Sequence, residues 1–130
     1  MLAYLWVGLG GALGSMARHG SNALYMRLVG PNAMWASTVI INILGSLVIG
    51  LASSLMGSEG RFSSSLTAQQ FVMVGICGGY TTFSAFSLQT LTLMQGSQWI
   101  EAGANVVLSV VLCLIAVWVG HSAGVALSGT

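Results

Sequence analysis

Gly75-Ile-Cys-Gly-Gly-Tyr-Thr-Thr-Phe-Ser-Ala-Phe-Ser87 stands in the middle of a long apolar run without charged residues. This segment holds three glycines and four serine or threonine hydroxyls. Glycine costs about 1 kcal/mol relative to alanine in a helix interior. A broken helix at membrane depth is tolerated only where protein or a water-filled path covers the freed backbone groups. The segment therefore predicts a helix broken at its centre, with carbonyls, hydroxyls and two phenylalanines turned inward.

Composition places the rest of the chain in a membrane as well. The chain is 55% hydrophobic and 4% charged, whereas soluble domains carry about 25% charged residues. The charged residues are Arg18, Arg27, Glu59, Arg61 and Glu101. A helix needs roughly 20 apolar residues to cross the hydrocarbon. We therefore predict an all-α membrane protein with a single membrane domain over residues 1–130 and four spans at about 3–25, 34–56, 66–94 and 99–124.

Charge and cysteine content argue against several classes of function. A net charge of +1 is too small to predict a nucleic acid or an acidic partner. Cys77 and Cys113 lie in apolar spans without a C-x-x-C pair, and we interpret them as small buried hydrophobes. Because no histidine–carboxylate or nucleophile cluster is visible, we expect a protein that is not an enzyme.

The first span combines a ridge of small residues with a basic end. Gly10, Gly11, Gly14 and Ser15 form a small-xxx-small pattern, which lets another helix approach closely. Arg18 follows one turn later. It is either an interfacial anchor whose side chain reaches out of the lipid or a basic lining of a pore mouth, and both interpretations stay open.

Spans two and four each carry polar side chains on one face. Thr38 and Asn42 are spaced i, i+4 on span two. A buried amide without a partner is expensive, so Asn42 either joins helices or faces a path. On span four, Asn105, Ser109 and Cys113 recur every four residues as a small polar stripe.

The positive charges give almost no orientation signal. With four spans, one side of the membrane holds Arg61, and the other holds Arg27 with Arg18 near the end of span one. The positive-inside rule then has almost no bias on which to act. Such a protein can insert both ways up, and two inverted copies form an antiparallel pair with its twofold axis in the membrane plane.

Three motifs together are specific. They read Gly10-Gly11-x-x-Gly14-x-x-x-Arg18, Thr38-x-x-x-Asn42-x-x-Gly45 and Gly75-x-Cys-Gly-Gly-x-Thr-Thr-Phe-Ser-x-Phe-Ser87. In these motifs the chain resembles the Fluc (CrcB) family of microbial fluoride channels over essentially its whole length. The resemblance implies an antiparallel, dual-topology homodimer with two fluoride pores, embedded in the lipid of the cell inner membrane as a multi-pass protein.

The resemblance also implies roles for individual residues. The residues that would line the fluoride pore are Asn42, Phe83, Phe86, Thr38, Ser84 and Ser109. Those that would lie at its mouth are Arg18, Asn105 and Cys113. A structural sodium ion would be bound at the centre by the backbone carbonyls of Gly78 and Thr81 of each subunit. The chain departs from the usual family pattern at Ala85, Gln89, Asn105 and Cys113.

Residue chemistry favours the same function. An aromatic ring is positive at its edge, so Phe83 and Phe86 can offer C–H groups to an anion. The Asn42 amide offers two N–H donors. Anion capture by dipoles rather than by fixed charge suits fast passage, because a permeating ion must bind weakly enough to leave. We therefore expect a passive fluoride channel that exports the anion and so reduces its toxicity.

Two other classes of function remain as alternatives. A small dual-topology exporter of cationic drugs needs a membrane-embedded carboxylate for proton exchange, but Glu59 and Glu101 both fall at span ends. A structural membrane subunit without transport would have no use for a broken, polar third helix.

Overall fold

The computed structural model describes residues 1–129, so Thr130, the last residue of the predicted domain, lies outside the described part. The described residues are almost entirely helical and contain no strand. The elements are α1 (Leu2–Leu28), a short 3-10 turn (Pro31–Ala33), α2 (Met34–Leu55), α3 (Leu66–Gln69), a π-helical segment (Gln70–Cys77), α4 (Gly78–Tyr80), α5 (Phe83–Gln95) and α6 (Trp99–Ser128). The run from α3 to α5 is called the third helix below.

Three helical stretches are long and apolar enough to cross a membrane: Pro31–Leu55, Leu66–Gln95 and Trp99–Ser128. The chain is accordingly an integral membrane protein, and these stretches match the predicted spans two to four within a few residues. Helix α1 has 27 residues, but it carries Arg18 and Arg27 and does not belong to this apolar set. The prediction that α1 is a fourth span therefore stays a prediction.

The third helix is broken, as the sequence predicts, but not at its glycines. Gly78 has helical backbone angles, with φ −64° and ψ −36°. The chain becomes extended at Thr81 (φ −82°, ψ 160°) and Thr82 (φ −154°, ψ 115°), and we call these two residues the break. The Thr82 hydroxyl then accepts a hydrogen bond from the Ala85 amide at 3.1 Å, which caps the new helix α5.

The glycines of the third helix serve close packing against α1. A Cβ built on Gly10 would lie 2.9 Å from the Gly75 Cα, and one built on Gly79 would lie 2.5 Å from the Gly11 carbonyl oxygen. A Cβ at Gly14 would likewise overlap the Ile76 carbonyl oxygen. The predicted ridge on span one is thus confirmed as a surface that lets two backbones touch.

A second glycine contact joins α2 to α6, the most extensive helix pair in the molecule. A Cβ at Gly50 would overlap the Val117 carbonyl oxygen, and a Cβ at Gly120 would overlap the Leu47 carbonyl oxygen. Helix α2 is therefore fixed against α6 on one side, while its Gly45 lies against the Thr81 methyl group at the break. This arrangement brings α2, the break and α6 around one region.

The segment before the break is π-helical over eight residues, Gln70–Cys77. A π-helix pairs residues i and i+5, is rare, and occurs mostly as single turns at functional sites. Apolar spacing does not distinguish this wider turn from an α-helix, so the sequence gives no sign of it.

Candidate functional site

Asn42 of α2 holds the break with both ends of its amide. Its Oδ1 accepts a hydrogen bond from the Thr82 backbone N–H at 2.8 Å, and its Nδ2 donates to the Thr82 carbonyl oxygen at 3.1 Å. The Thr82 N–H, which does not bond within the third helix, is thus satisfied by a side chain of α2. Of the two roles that the sequence leaves open for this amide, the joint between helices is therefore realised, and Asn42 also lines a cavity.

The break leaves the last carbonyl groups of the helix before it without helical donors, and those of Gly78 and Thr81 are among them. An unbroken α-helix would direct the Thr82 amide to the Gly78 carbonyl and the Ala85 amide to the Thr81 carbonyl. Those amides instead bind Asn42 Oδ1 at 2.8 Å and the Thr82 hydroxyl at 3.1 Å. The freed carbonyls thus include the two that the sequence analysis expects to hold sodium, and that expectation stays a prediction.

Arg18 reaches one of these carbonyls. Its guanidinium donates to the Thr81 carbonyl oxygen at 3.2 Å. The side chain is half-buried and also lines a cavity beside the break. Arg18 is therefore turned into the protein in this structure, which favours a lining residue over an anchor that reaches out to the membrane surface.

The larger cavity at the break, here called the phenylalanine cavity, has a volume of about 410 Å³. It brings together predicted residues from three helices, namely Asn42, Phe83, Phe86, Ser109, Cys113 and the sodium candidates Gly78 and Thr81. The Phe83 and Phe86 rings lie 5.1 Å apart with an interplanar angle of 51°. Phe83 is 77% exposed and Phe86 is 8% exposed, so one ring belongs to the core and its neighbour to the surface.

A second cavity, here called the polar cavity, has a volume of about 350 Å³ and is also bordered by Thr82. It is lined by Arg18, Thr38 and Ser84 among the predicted residues, and by Gln89. Thr82 lines both cavities. The predicted pore residues are therefore divided into two groups that meet at the break.

Asn105 lines neither cavity and lies in the contact between α6 and α5, behind Phe86 and Ser109 of the phenylalanine cavity wall. It is completely buried, and its Nδ2 donates to the Thr90 hydroxyl at 2.9 Å. Its Oδ1 accepts from the Ser109 hydroxyl at 3.4 Å. The structure gives Asn105 a joining role between helices, and its predicted role at the pore mouth stays a prediction.

Sequence reasoning missed Thr82, Thr90 and Gln89 as parts of this region. Thr82 supplies the backbone that Asn42 binds, and Thr90 is the partner of Asn105. Gln89 lines the polar cavity, and its Oε1 is buried without a hydrogen-bond partner among the described residues. The Thr-Thr pair was a usable signal, since a hydroxyl before a new apolar run is typical of a helix N-cap.

Side-chain ligands for a metal ion are scarce. Within residues 1–129, no group of three or more histidine, cysteine, aspartate or glutamate side chains is placed to bind a metal. The oxygen atoms offered at the break belong to backbone carbonyls and hydroxyls, which are neutral. Hard cations accept such oxygen ligands, so the donor set at the break fits a monovalent cation better than a divalent one.

The chain is similar to known proteins over nearly its whole length. A family model described as CrcB-like protein, Camphor Resistance (CrcB), matches residues 5–121. The fluoride-specific ion channel FluC of Methylocella silvestris is 50% identical over 125 residues, which is 96% of this chain and 95% of the relative. The protein of the same name from Rhodospirillum rubrum is 54% identical over 120 residues, 92% of each chain. That of Opitutus terrae is 48% identical over 128 residues, 98% of this chain and 96% of the relative.

Proposed function

The chain belongs to the CrcB-like protein family, and we propose from this premise that it is a fluoride-specific ion channel. It is a membrane protein that conducts an anion and not an enzyme. The observation that carries the proposal is the phenylalanine cavity, where two aromatic rings and the Asn42 amide meet at a break in a membrane-spanning helix. The curated relatives, about half identical in sequence, bear the name of fluoride channels.

The residues of the two cavities suit an anion that must shed its water. Asn42 uses one N–H group on the Thr82 carbonyl, and an amide carries two, so the other is left for an ion. Phe83 and Phe86 contribute positive ring edges. Thr38 and Ser84 add hydroxyls from the polar cavity and Ser109 adds one from the phenylalanine cavity. These neutral donors replace hydration without binding the ion tightly.

Conduction is passive and outward. The negative interior of a cell drives an anion out with about 2.3 kcal/mol per charge per 100 mV. Proton-coupled drug export needs a membrane-embedded carboxylate, and neither described cavity at the break is lined by aspartate or glutamate. Glu101 instead lies in the first turn of α6. The channel function is therefore favoured over the exporter.

We infer that α1 is a fourth span and that two inverted copies pair in the inner membrane. Phe83 is 77% exposed and Val74 is 59% exposed, and Gly78 between them is exposed as well. This exposed surface runs across the break, where a second copy would cover both the ring and the freed backbone. The balance of Arg18 and Arg27 against Arg61 supports insertion in both orientations.

We further propose a structural sodium ion at the contact between the two copies. The Gly78 and Thr81 carbonyls of each subunit would hold it, because the break frees both from helical bonding. A carbonyl oxygen has two lone pairs, so Thr81 can accept the Arg18 guanidinium and still face a cation. The bound ion would supply charge compensation for carbonyls that are otherwise costly to bury.

Reconstitution tests the function directly. Purified protein in liposomes should release fluoride under a potassium gradient with valinomycin, and should release chloride far more slowly. Equal rates for the two anions, or no release of either, would contradict the proposal. A reporter fused to the C-terminus tests the pairing separately, because dual topology places its signal on both sides of the membrane.

A further inference from the structure

Arg18 and the break meet at a single oxygen atom. The Arg18 guanidinium donates to the Thr81 carbonyl oxygen at 3.2 Å, and this carbonyl is one of the two proposed to hold sodium. Within residues 1–129, Thr81 is the hydrogen-bond partner of Arg18. One neutral oxygen is therefore offered to two cations, the guanidinium of the chain and a bound sodium ion.

The packing of α1 fixes the position of Arg18. Gly14 lies one helical turn before Arg18, and a Cβ built on Gly14 would lie 2.8 Å from the Tyr80 amide nitrogen. The Ser15 hydroxyl donates to the Gly79 carbonyl oxygen at 3.5 Å. This face of α1 is thus held beside the last turn before the break, so the guanidinium stays within reach of the freed carbonyls.

The positive charge of Arg18 has no acidic side chain beside it in the cavity that it lines. The chain has two acidic residues, Glu59 and Glu101. Glu101 lies in the first turn of α6, and the polar cavity is lined by neither of them. An arginine inside a membrane protein pairs with acidic side chains or with backbone carbonyls. Here the partner is a carbonyl, which leaves the charge uncompensated.

We propose that Arg18 weakens sodium binding at the break and so sets the sodium concentration at which the site fills. Calcium, a hard cation of similar size, binds oxygen ligands at about 2.3–2.6 Å, so sodium on the Thr81 carbonyl would lie within about 6 Å of the guanidinium nitrogen. Two positive charges at this separation repel each other, and the separation is shorter than the Debye length of about 8 Å at physiological salt. The inference rests on the sodium ion proposed above.

The same hydrogen bond stabilises the break when sodium is scarce. It is charge-assisted, and a carbonyl without a donor or a cation is costly to bury. Removing the charge of Arg18 should therefore act in opposite directions at the two ends of a sodium titration. The protein should lose stability in sodium-free buffer and respond to sodium at lower concentrations. A purely structural role would lower stability throughout and leave the sodium Kd unchanged.

Thermal unfolding of the purified protein in detergent measures this linkage. Sodium chloride replaces N-methyl-D-glucamine chloride at constant ionic strength. The sodium Kd follows from the concentration at which stability begins to rise, since the gain grows as RT ln(1 + [Na⁺]/Kd). We expect the Kd to fall by about tenfold or more in Arg18→Gln, because a cationic neighbour is removed. It should stay near the wild-type value in Arg18→Lys, which keeps the charge.

Arg27→Gln is the matched control. It removes an arginine from the same helix nine positions away, about 13 Å along the helix axis and beyond the Debye length of about 8 Å. Its sodium Kd should therefore equal that of the wild type. An equal fall in Arg27→Gln or in Arg18→Lys would overturn the inference.

An unchanged or higher sodium Kd in Arg18→Gln would overturn it as well. If Arg18→Gln does not fold, Arg18→Met, which is also neutral, takes its place. Absence of any response to sodium in the wild type would overturn both this inference and the proposed sodium ion. Fluoride release from liposomes tests the channel function separately, so the two failures are distinguishable.

Discussion

The two halves of the third helix are held in place by different kinds of contact, backbone packing in the first and side-chain hydrogen bonds in the second. Before the break, residues 70–80 lie so close to α1 that Gly75 and Gly79 have no room for a Cβ. After the break, α5 is held by polar side chains, with Thr90 bonded to Asn105 of α6 and Thr82 capping the first turn. The position of the first half therefore depends on glycines that have no side chain. The position of the second half depends on particular polar side chains.

This difference separates assembly from conduction. In a membrane the hydrophobic effect contributes little to helix association, so close backbone packing and interhelical hydrogen bonds stabilise the bundle instead. Side chains added at the glycines that touch α1, such as Gly75 and Gly79, should act through steric overlap and disrupt the fold. Loss of the hydrogen bonds that Asn42 makes at the break should instead alter transport while the helix bundle persists.

Gly79→Val tests the steric half and should have the largest effect. Its Cβ would lie 2.5 Å from the Gly11 carbonyl oxygen, and backbone of a packed helix cannot move cheaply. We expect the free energy of unfolding to fall by about 3 kcal/mol or more. Size-exclusion chromatography in detergent should then show little folded protein. A variant with the yield and thermal stability of the wild type would show that α1 does not pack against Gly79.

Gly78→Val is the matched change one residue earlier. A Cβ at Gly78 meets only the Met73 carbonyl oxygen, at 3.8 Å, so a side chain there has room within the chain itself. The residue is exposed at the proposed contact between copies. We expect a folded helix bundle that fails to pair and does not conduct, measured by crosslinking and fluoride release. A paired, conducting variant would refute the proposed interface.

Asn42→Asp tests the break itself. A carboxylate cannot donate to the Thr82 carbonyl, so the 3.1 Å bond is lost, and its charge repels the anion. We expect fluoride release to fall by about 100-fold or more, since one charged-group mismatch at close range costs several kcal/mol. Ser84→Ala serves as the control, because it removes a hydroxyl from the neighbouring cavity without adding charge. Unchanged release by the aspartate variant would remove Asn42 from the pore.

Asn105→Ala probes the polar attachment of α5. The substitution leaves the Ser109 hydroxyl without its 3.4 Å acceptor and removes the 2.9 Å bond to Thr90. We expect a loss of about 1–3 kcal/mol in stability, with ion selectivity retained. Combining it with Thr90→Val forms a double-mutant cycle, and strict additivity of the two losses would show that the bond contributes nothing.

Thr81→Ser should have the smallest effect. Serine keeps the hydroxyl that donates to the Cys77 carbonyl at 2.9 Å and gives up the methyl group that lies against Gly45. We expect a stability loss of about 1 kcal/mol and nearly normal fluoride release. The matched Thr81→Val keeps the methyl group instead. A larger loss in the serine variant than in the valine variant would show that packing against Gly45 outweighs the hydroxyl.

Local patterns were enough for the long helices and for the break in the third one. Charge-free runs marked the long helices, and small residues on span one marked a surface for close packing. The Gly-Gly and Thr-Thr pairs indicated a break within three residues of its position. These features depend on residues near one another in the chain, where helix length and backbone freedom follow directly from side-chain type.

Tertiary structure decided which side chains meet. Asn42 binds Thr82 across 40 positions, and Asn105 binds Thr90 across 15. Cys77 joins Cys113 on one cavity wall, and the pore residues divide between two cavities. None of these pairings has a periodic signature, because each depends on how far two helices slide and rotate before their glycines touch. The π-helical turn before the break adds a rotation of its own, and spacing along the chain carries no trace of it.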